Sequence, residues 1–134
     1  LNAKYRIVTS IHMDPVVRDE ILDIFMEFPR DESHSILVSS HIVSDLEKLC
    51  DYVAFLHRGK LILWEEKDRL AERYGVIQCM ETEIAGYGDA VKGRRITPYG
   101  AQILVDREML PDSAEIMPVG VEDLFVYLVK EERR

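Results

Sequence analysis

The feature that most constrains the fold is a helix signal followed by an uninterrupted apolar strand signal. Asp14-Pro15 predicts a helix start, because Asp can cap free backbone N–H groups and Pro at the first helical position loses no needed donor. Apolar residues then recur at helical spacing, at Val17, Ile21, Ile24, Phe25 and Phe28. The run Ile36-Leu37-Val38 is typical of a parallel strand covered on both faces. This alternation predicts an α/β fold with a parallel sheet.

The elements that follow continue the same pattern. A short helix is expected to open at Ser44 or Asp45. Strands over 52–57 and 61–64 flank Arg58-Gly59-Lys60 and predict a β-hairpin. A helix over 67–74 is predicted to end at Gly75, since glycine is a common helix C-terminal stop.

The character of the sequence changes after Gly75. A strand is expected over 76–80, and a second hairpin over 95–105 turns at Pro98-Tyr99-Gly100. One more strand is predicted over 115–118, and a closing helix over 121–131 has Leu124, Phe125, Leu128 and Val129 on its inner face. We therefore predict two domains, 1–75 and a small α+β extension over 76–134.

Composition narrows the class of protein. The net charge of −8 argues against nucleic-acid binding, which usually requires a basic face. No apolar run approaches the roughly 20 residues of a membrane span, and residues 1–4 lead into no signal-peptide core. Cys50 and Cys79 lie in no metal-ligand pattern, so no metal site is expected. These observations predict a cytoplasmic protein.

Three segments carry a resemblance to a known family. Residues 13–22 begin Met-Asp-Pro and resemble the "D-loop" and following helix of the ATP-binding subunits of ABC transporters. Residues 35–41 end in Ser-Ser-His, similar to the family's "switch" strand. Residues 52–61 look like its closing hairpin. The resemblance covers residues 13–75, and the tail with Pro98-Tyr99-Gly100 looks like the C-terminal extension of bacterial drug or antibiotic exporters.

The resemblance implies the fold and roles for two residues. It implies part of a P-loop NTPase sheet, with His41 reaching the terminal phosphate of ATP as a catalytic and nucleotide-contacting residue. Asp14 would lie in the D-loop where two ATPase domains meet. ATP and Mg²⁺ are the family's cofactors, and its partners are a membrane-spanning permease and a second ATPase subunit. The intact transporter would hold the chain against the inner face of the cell membrane.

Motifs that the family needs for hydrolysis are not found in these residues. The sequence contains no GxxxxGK[ST] phosphate loop and no Ser-Gly-Gly signature. Aligned on Asp14 without gaps, the two Walker B carboxylate positions hold Ile7 and Val8. The expectation is therefore a C-terminal portion of an ATPase subunit that binds no nucleotide and hydrolyses no ATP by itself.

The sequence leaves two other functions open and also predicts an oligomeric state. A stand-alone degenerate module could bind an intact ATPase or a regulator through residues 76–134. An unrelated small enzyme is a third possibility, although no nucleophile–base pair supports it. Without neighbouring strands, the 36–38 strand and the apolar face of the helix after Asp14 would be partly exposed. Exposed strand edges and apolar patches of this kind tend to be covered by another chain, so we predict a homodimer or larger oligomer. Exchange of residues 5–11 between two copies is one way to form it.

Overall fold

A computed structural model describes residues 15–27, 37, 47, 50–112 and 114–132 of the chain. The chain divides into two compact units, Leu1–Cys50 and Asp51–Arg134. Most of the described residues belong to the second unit.

The first unit contains a helix, α1, at Pro15–Glu27. Its start at Pro15 confirms the helix predicted from Asp14-Pro15, although Asp14 itself lies outside the described residues. Two residues of the predicted apolar face, Val17 and Ile24, are 45% and 64% exposed. The periodicity thus predicted the helix correctly, although spacing shows only which residues share a face and not whether a second surface covers it.

The second unit begins with the predicted hairpin. Strand β1 runs over Tyr52–His57 and strand β2 over Lys60–Glu66, paired antiparallel. Arg58 and Gly59 have positive φ angles of 49° and 76°, the combination that closes a two-residue type I′ turn. Val53 and Phe55 of β1 point into the unit and are buried, whereas Tyr52 and its alternating neighbours are exposed.

Helix α2 spans Lys67–Arg73 and passes directly into strand β3, Tyr74–Cys79. The prediction that Gly75 ends the helix is wrong, because Gly75 is the second residue of β3. A Cβ at Gly75 would collide with Ile116 Cγ2 and lie 2.9 Å from the Met117 carbonyl oxygen. Glycine is needed here for the close approach of the 116–117 segment, whose Met117 exchanges two 2.8 Å backbone hydrogen bonds with Val76.

A three-stranded antiparallel sheet forms the centre of the second unit, in the order β3-β5-β4. Strand β4 spans Val91–Thr97 and β5 spans Gly100–Asp106, which confirms the predicted second hairpin. The described strands all pair antiparallel, so the described part of the fold is mixed α/β without the expected parallel sheet. The predicted parallel strand at 35–39 lies outside the described residues except for Leu37, which has no regular structure.

Both faces of this sheet are covered. A 3-10 helical segment, Glu81–Ala90, packs on one face over a cluster of buried residues: Ile77, Ile84, Ala101, Ile103 and Val105. Helix α3, Val121–Glu132, covers the other face. Ile103, Leu104 and Val105 of β5 are fully buried between these layers. Burying such side chains contributes about 1.5–3 kcal/mol each, which makes the middle strand the centre of the core.

Helix α3 covers nearly the residue range predicted for the closing helix, but only some of the residues predicted for its inner face are buried. Val121, Leu124, Tyr127 and Val129 are buried. The predicted inner residues Phe125 and Leu128 are only half-buried, and Tyr127 was not predicted. The predicted strand at 115–118 is reduced to one bridge between Met117 and Val76. None of the helices among the described residues has the length and apolar character needed to cross a membrane.

Candidate functional site

The two site residues predicted from the sequence, His41 and Asp14, lie outside the described residues. What the structure describes is the helix that follows Asp14 and the hairpin and extension that follow His41 in the chain.

The most buried charge in the described residues is Asp106, at the end of β5, which is 3% exposed. Its Oδ2 accepts hydrogen bonds from Arg73 Nε at 3.2 Å and from Arg73 Nη2 at 3.1 Å. Its Oδ1 accepts from the Glu108 backbone N–H at 3.0 Å, which caps the 3-10 turn Arg107–Met109. Both carboxylate oxygens are thereby satisfied, as a buried carboxylate requires.

Arg73 connects this carboxylate to the end of α2. Its side chain is 43% exposed, and its guanidinium carbon lies 5.3 Å from the ring centroid of Tyr74. The hydrogen bond with Asp106 raises the pKa of Arg73 further above its ordinary value. Burial raises the pKa of Tyr74, while the nearby Arg73 charge acts in the opposite direction. The arrangement joins α2, β3 and β5 and leaves Asp106 no free oxygen to act as a general base.

A second polar group lies where α3 crosses β4. Gly93 lets the helix come close, since a Cβ there would be 3.0 Å from both Cβ and the carbonyl oxygen of Tyr127. The Arg95 guanidinium lies 5.2 Å from the centroid of the Tyr127 ring. Arg94 Nη2 donates a 3.4 Å hydrogen bond to Glu131 Oε1. These contacts hold the helix to the sheet edge.

A groove opens between the 3-10 segment and β4. Its volume is about 430 Å³, and it is lined by Glu81, Ile84, Ala85, Gly88, Val91, Arg94 and Ile96. Five of these seven residues are aliphatic or glycine, and the other two are the acidic Glu81 and the basic Arg94. These two charged residues do not form a nucleophile–base pair.

The described residues also provide no metal site, and the thiol of Cys79 is not activated. Among them no three His, Cys, Asp or Glu side chains are grouped closely enough to hold a metal ion. Cys50 and Cys79 are both of intermediate exposure. Burial, with a smaller contribution from the Glu83 charge, raises the pKa of Cys79, which disfavours the reactive thiolate.

Sequence reasoning missed the Arg73–Asp106 pair. One half of it had a signal, because Asp106 ends the apolar run 103–105 and precedes a helical turn, the position of a capping residue. Its partner could not be found in the same way. Arg73 is remote in the sequence, and only the antiparallel pairing of Tyr74 with Asp106 brings the two together.

Comparison with known proteins identifies the family. The ABC transporter ATP-binding protein YtrB of Bacillus subtilis is 32% identical over 138 residues, covering 91% of this chain and 46% of that protein. The lantibiotic transport ATP-binding protein SrtF of Streptococcus pyogenes is 39% identical over 56 residues, covering 42% of this chain and 24% of that protein. This chain therefore belongs to the family of ABC transporter ATP-binding proteins.

Within that family the similarity reaches proteins named for antibiotic transport. The bacitracin transport ATP-binding protein BcrA of Bacillus licheniformis is 33% identical over 61 residues, covering 46% of this chain and 20% of that protein. The chain matches less than half the length of each of these relatives. No protein-family model and no solved structure matches it.

Proposed function

We propose that these residues are the C-terminal portion of the ATP-binding subunit of an ABC transporter, which energises transport when the whole subunit is assembled. The observation that carries this proposal is the alignment with YtrB, which extends over 91% of the chain. It therefore includes both the ATPase-like segments and the extension. The names of SrtF and BcrA support an exporter of peptide antibiotics as the transporter class.

The two residues singled out from the sequence receive roles within this proposal. His41 would donate a hydrogen bond to the charge that develops on the terminal phosphate, and Asp14 would lie at the face shared with a second ATPase subunit. Their support is the motif match around each, Met13-Asp14-Pro15 and Ser39-Ser40-His41. The transporter's other partner would be a membrane-spanning permease, with the subunit on the inner face of the membrane.

ATP and Mg²⁺ are the cofactors that the family implies, and the described residues do not fit them. They include no group of three metal-ligating side chains, and the sequence has no phosphate-loop motif to surround the nucleotide phosphates with backbone N–H groups. No step of hydrolysis is therefore assigned to the described residues. We propose that these 134 residues do not hydrolyse ATP alone.

We also propose that two parts of the chain have separate roles. Residues 1–75 would be the ATPase part and 76–134 an extension with a separate role. The packing of the hairpin against the extension supports a mechanical link between them, since the rings of Phe55 in β1 and Phe125 in α3 make an edge-on contact with centroids 5.1 Å apart. The extension would then support the hairpin that follows the switch segment.

One observation favours a second function, a stand-alone module that binds an intact ATPase or a regulator. Residues 51–134 form a compact unit by themselves, with a closed core and a groove on the surface. A unit of this kind could act as a binding module without any nucleotide chemistry.

An experiment on the natural gene product separates the two functions. An antibody against residues 76–134 would be used to isolate the native polypeptide, which is then identified by peptide mass spectrometry. The first function requires that the same polypeptide carry a phosphate-loop peptide and co-purify with an integral membrane protein. A native polypeptide of about 15.5 kDa without a phosphate loop would refute it and support the stand-alone module.

A further inference from the structure

The central sheet of the second unit has two outer strands, and their outer edges differ. In the order β3-β5-β4, the outer strands are β3 and β4. The β3 edge is paired, because Val76 exchanges two 2.8 Å backbone hydrogen bonds with Met117. A strand edge whose backbone groups lack partners can instead add one more strand, so the state of the β4 edge matters.

The register of the β4–β5 hairpin shows which backbone groups of β4 point outward. Thr97 and Gly100 flank the two-residue turn and are therefore a hydrogen-bonded pair, and Arg95 is the next β4 residue that bonds to β5. Arg94 and Ile96 alternate with these residues, so their N–H and C=O groups point away from β5. Among the described residues, these outward groups have no backbone partner. They can therefore pair with an added strand.

The groove between the 3-10 segment and β4 lies along the same strand. Ile96, which is 44% exposed, lines it from β4, and Ile84 and Ala85 line it from the 3-10 segment. An added strand would direct every second side chain to this side of the sheet. Five of the seven lining residues are aliphatic or glycine, and Glu81 would repel a carboxylate. Apolar side chains of the added strand therefore fit the groove.

Strand β4 is basic in a chain whose net charge is −8, since three of its seven residues are Lys92, Arg94 and Arg95. Arg95 lies on the opposite side of β4 from Ile96, and its guanidinium carbon is 5.2 Å from the centroid of the Tyr127 ring. Among the described residues no carboxylate is paired with Arg95. Acidic side chains on this side of an added strand would be complementary to it, whereas basic ones would be repelled.

We propose that β4 binds an extended segment of another polypeptide in which apolar and acidic residues alternate. The segment pairs with the outward backbone groups of Arg94 and Ile96. It directs its apolar side chains into the groove and its carboxylates toward Arg95. The main-chain hydrogen bonds contribute affinity, and the groove and the charge select the sequence. This binding site does not depend on the proposed transport function.

The experiment measures the binding of a fluorescently labelled peptide of about eight residues, in which valine and glutamate alternate, to the 134-residue chain. Fluorescence anisotropy should show saturable binding that weakens as the salt concentration rises. The same peptide with lysine in place of glutamate is the control and should bind at least about tenfold more weakly, because its charges are repelled by Arg95. No saturable binding of the valine–glutamate peptide, or equal binding of the two peptides, would overturn the proposal.

Backbone methylation of the peptide tests strand pairing without changing the protein. In an extended strand the N–H groups of successive residues point to opposite edges, so either the valine set or the glutamate set faces β4. Methylating the nitrogens of the set that faces β4 should weaken binding by at least about tenfold, because those hydrogen bonds are lost. Methylating the other set should change the affinity little. The same effect from both sets would overturn the proposal.

Two protein variants test whether the peptide lies on β4. Ile96→Asp removes an apolar side chain from the groove and adds a negative charge beside the bound strand, so binding should weaken by about tenfold or more. Met117→Asp is the matched control at the opposite edge of the same sheet, because Met117 is 45% exposed and the charge change is the same. It should leave the affinity unchanged, and circular dichroism checks that both variants are folded. Equal affinities of the two variants would place the peptide elsewhere and overturn the proposal.

Discussion

Asp106 accepts two side-chain hydrogen bonds through one carboxylate oxygen, from Arg73 Nε at 3.2 Å and Arg73 Nη2 at 3.1 Å. The other oxygen is left for the Glu108 backbone N–H. One buried carboxylate thus fixes the end of α2 to the end of β5 and caps the following turn. Because Asp106 is 3% exposed, each of these bonds replaces water that the carboxylate has lost.

The first prediction concerns this carboxylate. Asp106→Ala should lower the free energy of unfolding by about 2–3 kcal/mol, less than for a fully buried ion pair because Arg73 is 43% exposed. Asp106→Asn keeps an oxygen for the Glu108 N–H and should cost less. Urea denaturation followed by circular dichroism measures both. Equal losses for the two variants would show that the cap contributes nothing.

The second prediction concerns the closeness of α3 and β4. Gly93→Ala places a methyl group 3.0 Å from two atoms of Tyr127, so the helix must move, at a cost of about 1–3 kcal/mol. Gly86→Ala is the matched control, because an added Cβ there meets nothing within 4 Å. Thermal unfolding of the two variants should separate them clearly. Equal midpoints would mean that the helix accommodates the methyl group without strain.

The elements of the second unit were largely predictable because their signals are local. The Arg58-Gly59 turn between two apolar strands predicts a hairpin from adjacent residues, and the structure confirms it. Gly75 misled the prediction, since a glycine after a helical segment usually ends a helix. Here it serves the close approach of Met117, which is remote in the sequence and therefore leaves no local signal.

The candidate site was predictable only as far as the family motifs extend. Ser-Ser-His and Asp-Pro point to His41 and Asp14, and both remain predictions because they lie outside the described residues. The Arg73–Asp106 pair depends on which strands pair, and pairing depends on the whole fold. Tyr127 was missed for a related reason, since its burial depends on the space that Gly93 leaves across the sheet.

The third prediction is a loss of stability in alkali. Burial raises the pKa of Tyr127 and of Tyr74 in the folded state, so the folded protein retains these protons when the unfolded chain begins to lose them near the ordinary value of about 10. This contribution is fully present below pH 10 and is lost as pH rises through the folded-state pKa. Tyr127→Phe should reduce the pH dependence of unfolding above pH 10. An unchanged slope would contradict the prediction.

The fourth prediction concerns nucleotide binding by the 134 residues alone. Because they lack a phosphate loop, they should show no saturable Mg-ATP binding with a Kd below the millimolar range. A millimolar Kd corresponds to a binding free energy of about 4 kcal/mol. Isothermal titration calorimetry measures this directly, with buffer-matched titration of Mg²⁺ alone as the control. A micromolar affinity would reveal a binding mode that none of the motifs accounts for.

The last prediction tests His41 in a polypeptide that contains both this residue and a phosphate loop. If its imidazole acts on charge that develops during phosphoryl transfer, His41→Ala should lower kcat by about 10²–10³-fold, the usual effect of losing one such donor. The affinity for ATP should change little, because the interaction strengthens only as the reaction proceeds. Steady-state turnover and nucleotide binding are measured on the same preparation.

His34→Ala is the matched control, since no motif surrounds His34, and it should leave both quantities unchanged. Near-normal turnover in His41→Ala would show that His41 has only a structural role. A parallel loss of ATP affinity would show that His41 stabilises the bound ATP before the reaction, and not only the transition state.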